Sequence, residues 1–187
     1  MKNIAIFASH NGSSFDTLYE ASINNILPIN IALVISNNTN ANILQKAHKL
    51  NIKNYIINDK LFENIDDEIY NLLIKYDCEY IFLAGYMKKI SSLICENFKV
   101  LNSHPALLPS YGGAGMYGKY VHEAVIQNNE TTSGVTIHEV NKNYDEGAII
   151  YQESLEVLKS DTAITLEKKI KELEKNAVIK GFEICLK

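Results

Sequence analysis

The chain has 187 residues, of which 47% are hydrophobic and 21% charged, a composition typical of a folded protein of ordinary size and not of a disordered one. Its formal net charge is −4, and no segment concentrates lysines on one face, which argues against nucleic acid as a partner. All 18 basic residues are Lys and none is Arg. Any phosphate would therefore be bound by backbone N–H groups, hydroxyls or Lys.

The three cysteines, Cys78, Cys95 and Cys185, are scattered without CxxC spacing. Their odd number and spacing argue against a disulfide framework or a zinc site, so we expect no metal and interpret them as small buried hydrophobes. The apolar run at the start of the chain is too short for a signal peptide, and no other stretch could span a bilayer. We expect a cytoplasmic enzyme or binding protein.

Apolar, β-rich runs alternate with helical patterns through the first hundred residues. The runs predict strands over 3–9, 29–36, 52–57, 80–85 and 98–103. Apolar residues at three- and four-residue steps predict helices over 14–26, 40–50 and 63–76. This alternation predicts an α/β fold with a doubly wound, mostly parallel, Rossmann-like sheet, covered by helices on both faces. Ligands of such sheets bind beyond the carboxyl ends of the strands.

The later part of the chain predicts an antiparallel extension of this sheet. Strands over 132–140 and 147–157 are joined by the turn-rich segment 141–146, which is short enough for a hairpin. A final helix is predicted from Asp161 to about Cys185, with Asp161 or Thr162 as its N-cap. We expect residues 1–187 to form one domain, with a βαβ half over 1–103 and loops, hairpin and last helix over 104–187.

The loop after the first strand reads SHNGSSF and leads directly into a helix. Backbone N–H groups at a helix N-terminus, together with the hydroxyls of Ser13 and Ser14, suit a phosphate. The spacing is neither GxGxxG nor a P-loop. A capped helix start without a ligand is the alternative interpretation.

Asn102 and His104 lie two residues apart at the end of the fifth predicted strand, so both side chains should point to the same face. Pro105 and Pro109 follow and restrict how the chain leaves the strand. A neutral imidazole can accept a proton from an attacking amine, and an Asn N–H can stabilise the oxyanion that develops on a carbonyl. The alternative is a hydrogen-bonded pair with only a structural role.

Asp145 is the candidate that would orient His104, although an Asp two residues before a Gly is more often a turn residue. A carboxylate beside His104 would raise the pKa of the imidazole, whereas burial would lower it, so the sign of the net shift stays open. Thr136 and His138 alternate on the preceding strand and would share a face. Either residue could line the site or belong to the core.

These motifs, in the order HNGSS, LAGYMKKIS, LNSHPALLPSYGG, SGVTIHEV and YDEGAIIYQ, cover almost the entire chain. Their arrangement resembles the phosphoribosylglycinamide formyltransferases of the folate-dependent formyltransferase superfamily. The pattern NxHPxLLP, followed about forty residues later by DxG, is quite specific to that superfamily. The resemblance implies formyl transfer from 10-formyltetrahydrofolate to the amine of glycinamide ribonucleotide in de novo purine biosynthesis, by a monomer or weak homodimer.

The resemblance also implies roles for individual residues. Asn102, His104 and Asp145 match the catalytic trio, Asn11 to Ser14 match the phosphate loop, and Glu174 matches a carboxylate that contacts the ribose. The folate would lie between the carboxyl edge of the sheet and the 141–145 loop. The matching folate-binding residues are Tyr86, Met87, Lys88, Asn102, Val140, Asn141 and Tyr144. No metal and no covalent enzyme intermediate are implied.

Two departures from the family pattern concern the surroundings of the trio. Lys88 and Lys89 stand where many relatives have Arg and an aliphatic residue, which changes the expected folate pocket. The segment 110–125 carries four glycines where others have a Pro-Gly turn. These glycines predict a mobile lid over the site, with an ordinary glycine-rich surface loop as the alternative.

Other members of the superfamily formylate initiator tRNA or amino sugars, or hydrolyse formyltetrahydrofolate. A tRNA enzyme would carry a further basic domain and the hydrolase an amino-terminal regulatory domain, so the length of this chain favours the ribonucleotide enzyme. A non-catalytic nucleotide- or folate-binding protein with the same fold is the rival of a different class. The presence of Asn102, His104 and Asp145 together favours the enzyme.

Overall fold

The computed structural model describes residues 1–187, which form seven strands and six helices. In chain order they are β1 (Lys2–Phe7), α1 (Phe15–Ile23), β2 (Ile29–Ser36), α2 (Asn42–Lys49), β3 (Lys53–Ile56), α3 (Ile65–Lys75), β4 (Tyr80–Leu83), α4 (Ser92–Asn97), β5 (Lys99–His104), α5 (Lys119–Gln127), β6 (Thr132–Glu139), β7 (Ile149–Glu156) and α6 (Ala163–Cys185). All the predicted strands and helices are present, with ends that differ from the predicted ones by a few residues.

The strands form one sheet with the order β3-β2-β1-β4-β5-β6-β7. Strand β1 pairs in parallel with β2 and β4, and β2 pairs in parallel with β3. Strands β6 and β7 pair antiparallel. The predicted α/β class, with its mostly parallel sheet, antiparallel hairpin and final helix, is confirmed.

The chain divides into two compact units, Met1–Leu101 and Asn102–Lys187. In the first unit, the residues of β1 from Ile4 to Phe7 are all 0% exposed. Uninterrupted burial of this kind is typical of a parallel strand that is covered on both faces, and each large side chain contributes roughly 1.5–3 kcal/mol when buried. The prediction of a single domain with halves meeting at residue 103 stays a prediction.

In the second unit, two glycines allow close packing, one between the strands of the hairpin and one between the last helix and β6. A Cβ on Gly134 of β6 would lie 2.2 Å from the Glu153 carbonyl oxygen, and one on Gly181 of α6 would lie 2.7 Å from Cγ2 of Ile137. Helix α6 begins after Thr162, whose hydroxyl accepts the Thr165 N–H while the Thr165 hydroxyl accepts the Thr162 N–H. Of the two predicted N-caps, the structure selects Thr162.

Two features differ from the sequence-based expectation. The predicted lid segment 110–125 is not one continuous loop, because α5 begins at Lys119 and buries Val121, His122 and Val125. The apolar residues of α5 have the three- and four-residue spacing that is typical of a helix. The helix was not predicted because the glycines before it indicated a loop. The short helix α4 was not predicted. No helix is both long and apolar enough to cross a membrane.

Candidate active site

His104 is the last residue of β5 and is only 3% exposed. Its Nε2 lies 2.7 Å from the backbone carbonyl oxygen of Tyr111. Because a carbonyl oxygen can only accept, the neutral ring carries its proton on Nε2 and leaves Nδ1 bare. The nitrogen that can take up a proton is therefore Nδ1.

Asp145 faces that bare nitrogen from the loop after β6. Its Oδ2 lies 3.5 Å from Nδ1 of His104 and accepts the Gly113 N–H at 2.9 Å. The backbone of Asp145 is in the left-handed region, with φ of 56°. Asp tolerates this conformation better than most residues. The turn geometry and the contact with His104 occur in the same residue, so the two interpretations of Asp145 are not exclusive.

Asn102 and His138 form a second contact beside the first. Nδ2 of Asn102 lies 3.1 Å from Nε2 of His138, and Nδ1 of His138 lies 2.8 Å from the Glu139 carbonyl oxygen. Oδ1 of Asp145 lies 3.5 Å from the same Nε2. We call Asn102, His104, His138 and Asp145 the polar cluster. Its four side chains come from β5, β6 and one loop, and all belong to the second unit.

Burial is the largest influence on the pKa of His104 and lowers it, although Asp145 and the Tyr111 carbonyl act in the opposite direction. The net shift is downward, which settles the sign that the sequence left open. Burial would raise the pKa of Asp145, but His138, His104 and the Gly113 N–H together hold it below its ordinary value. The cluster thus favours a neutral imidazole next to an ionised carboxylate, which is the state of a general base.

Thr136 is fully buried and makes hydrogen bonds to the chain that follows His104. Its hydroxyl donates to the Ala106 carbonyl at 2.7 Å and accepts the Leu108 N–H at 3.0 Å. Nε2 of Gln152 donates to the same oxygen at 2.8 Å. The side chain therefore fixes the exit from β5, which includes a cis Leu108–Pro109 bond.

The loop between β1 and α1 lies in the first unit and is shaped by Gly12, which has φ of 60°. A Cβ at this position would lie 2.5 Å from Cδ1 of Ile43, so the loop packs against α2 without room for a side chain. Asn11 is exposed and accepts a hydrogen bond from the Asn42 side chain at 2.8 Å. Ser13 is exposed, and the buried Ser14 is the N-cap residue of α1 but makes no side-chain cap bond.

Tyr86, Met87 and Lys88 follow β4, also in the first unit. The Met87 side chain is 48% exposed, and its backbone N–H donates to the Ser9 hydroxyl at 2.7 Å. Ser9 is itself buried and donates to the Asn37 side chain at 2.6 Å. Sequence reasoning missed Ser9, whose position two residues after the end of β1, at the carboxyl edge of the sheet, was the available signal.

A cavity of ≈ 390 Å³ opens beside this segment. Burial raises the pKa of the Tyr86 hydroxyl to about 12, with a further contribution from Asp66. Lys88 and Lys89 both line the cavity, so the two lysines that depart from the family pattern lie on its wall. Tyr86 also lines the cavity, and the other lining residues are Asn37, Ile57, Asn58, Asp59, Glu63, Asn64, Ile65, Asp66, Ile69, Ile90, Ser91 and Ile94.

The remaining predicted residues lie in the second unit. Val140 is half-buried, whereas Asn141 and Tyr144 are exposed in the loop that carries Asp145. Asn141 accepts the Asn143 N–H at 2.8 Å, which turns the loop. Glu174 is half-buried on α6.

The three cysteines are unpaired, and no group of three or more His, Cys, Asp or Glu side chains is arranged to hold a metal ion.

Comparison with known proteins gives a consistent result. A family model described as formyl transferase matches residues 2–181. The phosphoribosylglycinamide formyltransferase of Bacillus subtilis is 31% identical over 179 residues, which cover 93% of this chain and 89% of that protein. The chloroplastic enzyme of the same name from Arabidopsis thaliana is 34% identical over 175 residues and 90% of this chain, but the chain spans only 60% of its length.

A solved structure gives the same family. The crystal structure of phosphoribosylglycinamide formyltransferase from Streptococcus pneumoniae superposes with a TM-score of 0.86 at 30% identity, covering 100% of both chains.

Proposed function

Because the chain belongs to the formyl transferase family, we propose that it transfers the formyl group from 10-formyltetrahydrofolate to the amine of glycinamide ribonucleotide, a step of de novo purine biosynthesis. The relatives named above carry the name of this activity. Both molecules are substrates, and the formyl donor leaves as tetrahydrofolate.

One observation carries the catalytic part of the proposal: the ionised Asp145 carboxylate faces the bare Nδ1 of a buried, neutral His104 at 3.5 Å. A proton that arrives at Nδ1 creates an imidazolium next to a carboxylate, and the pair stabilises that charge. The Gly113 N–H donates to the same Oδ2 and helps to hold Asp145 in place.

The chemistry then follows from the residue types. The amine of the ribonucleotide attacks the formyl carbon, and the carbonyl oxygen becomes an oxyanion that an N–H of Asn102 stabilises. The amine becomes acidic as its bond to carbon forms, and His104 accepts its proton. The same proton is returned to the folate nitrogen as the bond between that nitrogen and the formyl carbon breaks. Holding two substrates together makes the attack effectively unimolecular.

Substrate contacts are assigned by residue type. We propose that backbone N–H groups of Asn11 to Ser14 bind the phosphate, since the chain contains no Arg that could bind it bidentately. Glu174 is proposed to bind the ribose hydroxyls.

For the formyl donor, the exposed side chains of Met87 and Tyr144 offer apolar and aromatic surface that suits a flat heteroaromatic ring. Tyr86, Lys88, Val140 and Asn141 complete the proposed folate contacts together with Asn102.

We further propose that the enzyme acts in the cytoplasm as a monomer or weak homodimer, on small molecules only. The whole of residues 1–187 would then form one functional domain.

The test is an assay of the purified protein with 10-formyltetrahydrofolate, with and without glycinamide ribonucleotide. We expect release of tetrahydrofolate only when the ribonucleotide is present, with one formylated ribonucleotide for each tetrahydrofolate. Release without the ribonucleotide would indicate a hydrolase. Binding of both molecules without turnover would indicate the non-catalytic protein.

A further inference from the structure

His138 is the member of the polar cluster for which the mechanism above has no use. It is 1% exposed, and both of its ring nitrogens lie within hydrogen-bonding distance of a partner. Nδ1 faces the Glu139 carbonyl oxygen at 2.8 Å, and that oxygen can only accept. The neutral ring must therefore carry its proton on Nδ1, which leaves Nε2 as an acceptor.

This assignment determines which way the Asn102 amide faces. An acceptor at Nε2 of His138, 3.1 Å away, requires the NH₂ group and not the oxygen of the amide on that side. One N–H is used by the imidazole, and the second N–H of the same nitrogen remains for another acceptor. If the amide were rotated by 180°, it would turn its oxygen towards His138, and neither N–H would keep its place.

We propose that His138 is a positioning residue that holds the Asn102 amide with its second N–H directed at the oxyanion of the formyl group. The inference rests on the proposed formyl transfer and assigns to His138 a role that the catalytic trio does not include. The residue itself touches no substrate, and its proposed effect on the oxyanion is exerted through Asn102.

The contact with Asp145 shows why the position of the ring proton of His138 matters. Oδ1 of Asp145 lies 3.5 Å from the same Nε2, so a proton on that nitrogen would be shared with the carboxylate and Asn102 would lose its acceptor. His138 lies close to two titratable groups, Asp145 and His104, and lowers the pKa of each, while the residue paired with it on β7 is the uncharged Ile149. The Glu139 carbonyl keeps the ring proton on the other nitrogen.

Two substitutions distinguish a positioning role of His138 from a role in packing alone. In His138→Gln the amide oxygen can replace Nε2 as a hydrogen-bond acceptor. His138→Leu keeps the bulk of the side chain but removes the acceptor. We expect His138→Leu to lower kcat about 10- to 100-fold, somewhat less than deletion of an oxyanion donor, with KM for both substrates within about twofold of wild type. His138→Gln should recover most of kcat, and His48→Leu, on the exposed side of α2, should match wild type.

An unchanged kcat in His138→Leu would overturn the inference, as would equal losses in the Leu and Gln variants. Because the wild type is assayed in parallel, absence of wild-type turnover would instead count against the proposed function. A measurement without turnover is ¹⁵N NMR of the wild-type imidazoles. We expect the Nδ1–H tautomer for His138 and a displaced Asn102 side-chain amide signal in His138→Leu. An Nε2–H tautomer would refute the inference even if the enzyme is active.

Discussion

Two regions of the molecule differ in what defines their geometry: the loop that joins β1 to α1, and the polar cluster. The loop is defined by its backbone: Gly12 takes a left-handed conformation against Ile43, while Asn11 and Ser13 are exposed. The cluster is defined by side chains, since His104 and His138 are almost fully buried and each ring is held by a backbone carbonyl.

This difference predicts which substitutions should affect each region. A site made of backbone N–H groups tolerates the loss of side chains but not the addition of one at its glycine. A site made of buried side chains loses its chemistry when one functional group is removed, even if the backbone is unchanged. Substitutions of both kinds can test whether the contrast is real.

The largest effect is expected for His104→Ala. Removal of the proton acceptor should lower kcat by about 10²–10⁴-fold and leave KM for the ribonucleotide nearly unchanged. Steady-state kinetics with both substrates measures the two parameters separately. A rise in KM as large as the fall in kcat would show that His104 binds substrate and is not a catalytic group.

Asp145→Asn should lower kcat by about 10²-fold, because the imidazolium loses its carboxylate partner. It should also change the pH profile. Activity requires neutral His104, and the buried wild-type ring has a lowered pKa, so the acid limb should lie below the ordinary value of 6.5. Removing the negative charge that raises this pKa should move the limb to still lower pH. A limb that stays in place or moves upward would contradict the assignment.

Gly12→Ala tests the backbone side of the comparison. A left-handed conformation costs a non-glycine residue about 1–2 kcal/mol, and the new Cβ would also meet Ile43 at 2.5 Å. We expect lower stability and a KM for the ribonucleotide raised about tenfold, with a smaller change in kcat. Gly115→Ala is the matched control for stability, because Gly115 has φ of 88° but nothing within 4 Å. Equal destabilisation of both variants would show that the contact with Ile43 is unimportant.

The smallest effect is expected for Ser13→Ala. The side chain is exposed, so its loss should raise KM for the ribonucleotide by no more than about threefold and leave thermal stability within experimental error. The measurement is the same kinetic assay together with a thermal unfolding curve. A rise above tenfold would mean that the Ser13 hydroxyl, and not the backbone, provides most of the phosphate binding.

The fold and the candidates Asn102, His104 and Asp145 were accessible from local sequence patterns, whereas the ribose and folate assignments came from the family resemblance. Strand and helix positions follow from apolar periodicity, and the carboxyl-end rule directed attention to the loops after β1, β4 and β5. The helix from Lys119 to Gln127 was missed, because glycines at 112, 113, 115 and 118 made its surroundings look like one loop. Ser9 was missed because its position just after β1 was its only signal, and many residues at strand ends share such a position.

The sequence by itself determined the α/β class, the order of elements and the presence of Asn102, His104 and Asp145 at loop and strand ends. Only the tertiary structure decided the protonation pattern of the site. Asn102 and His138 are 36 positions apart, and Asp145 and Gly113 are 32 apart. Periodicity reports on neighbours within a helical turn or a strand, whereas these pairings depend on how β5, β6 and the loops pack together. That packing assigns the ring protons of His104 and His138 and lowers the pKa of the His104 imidazole.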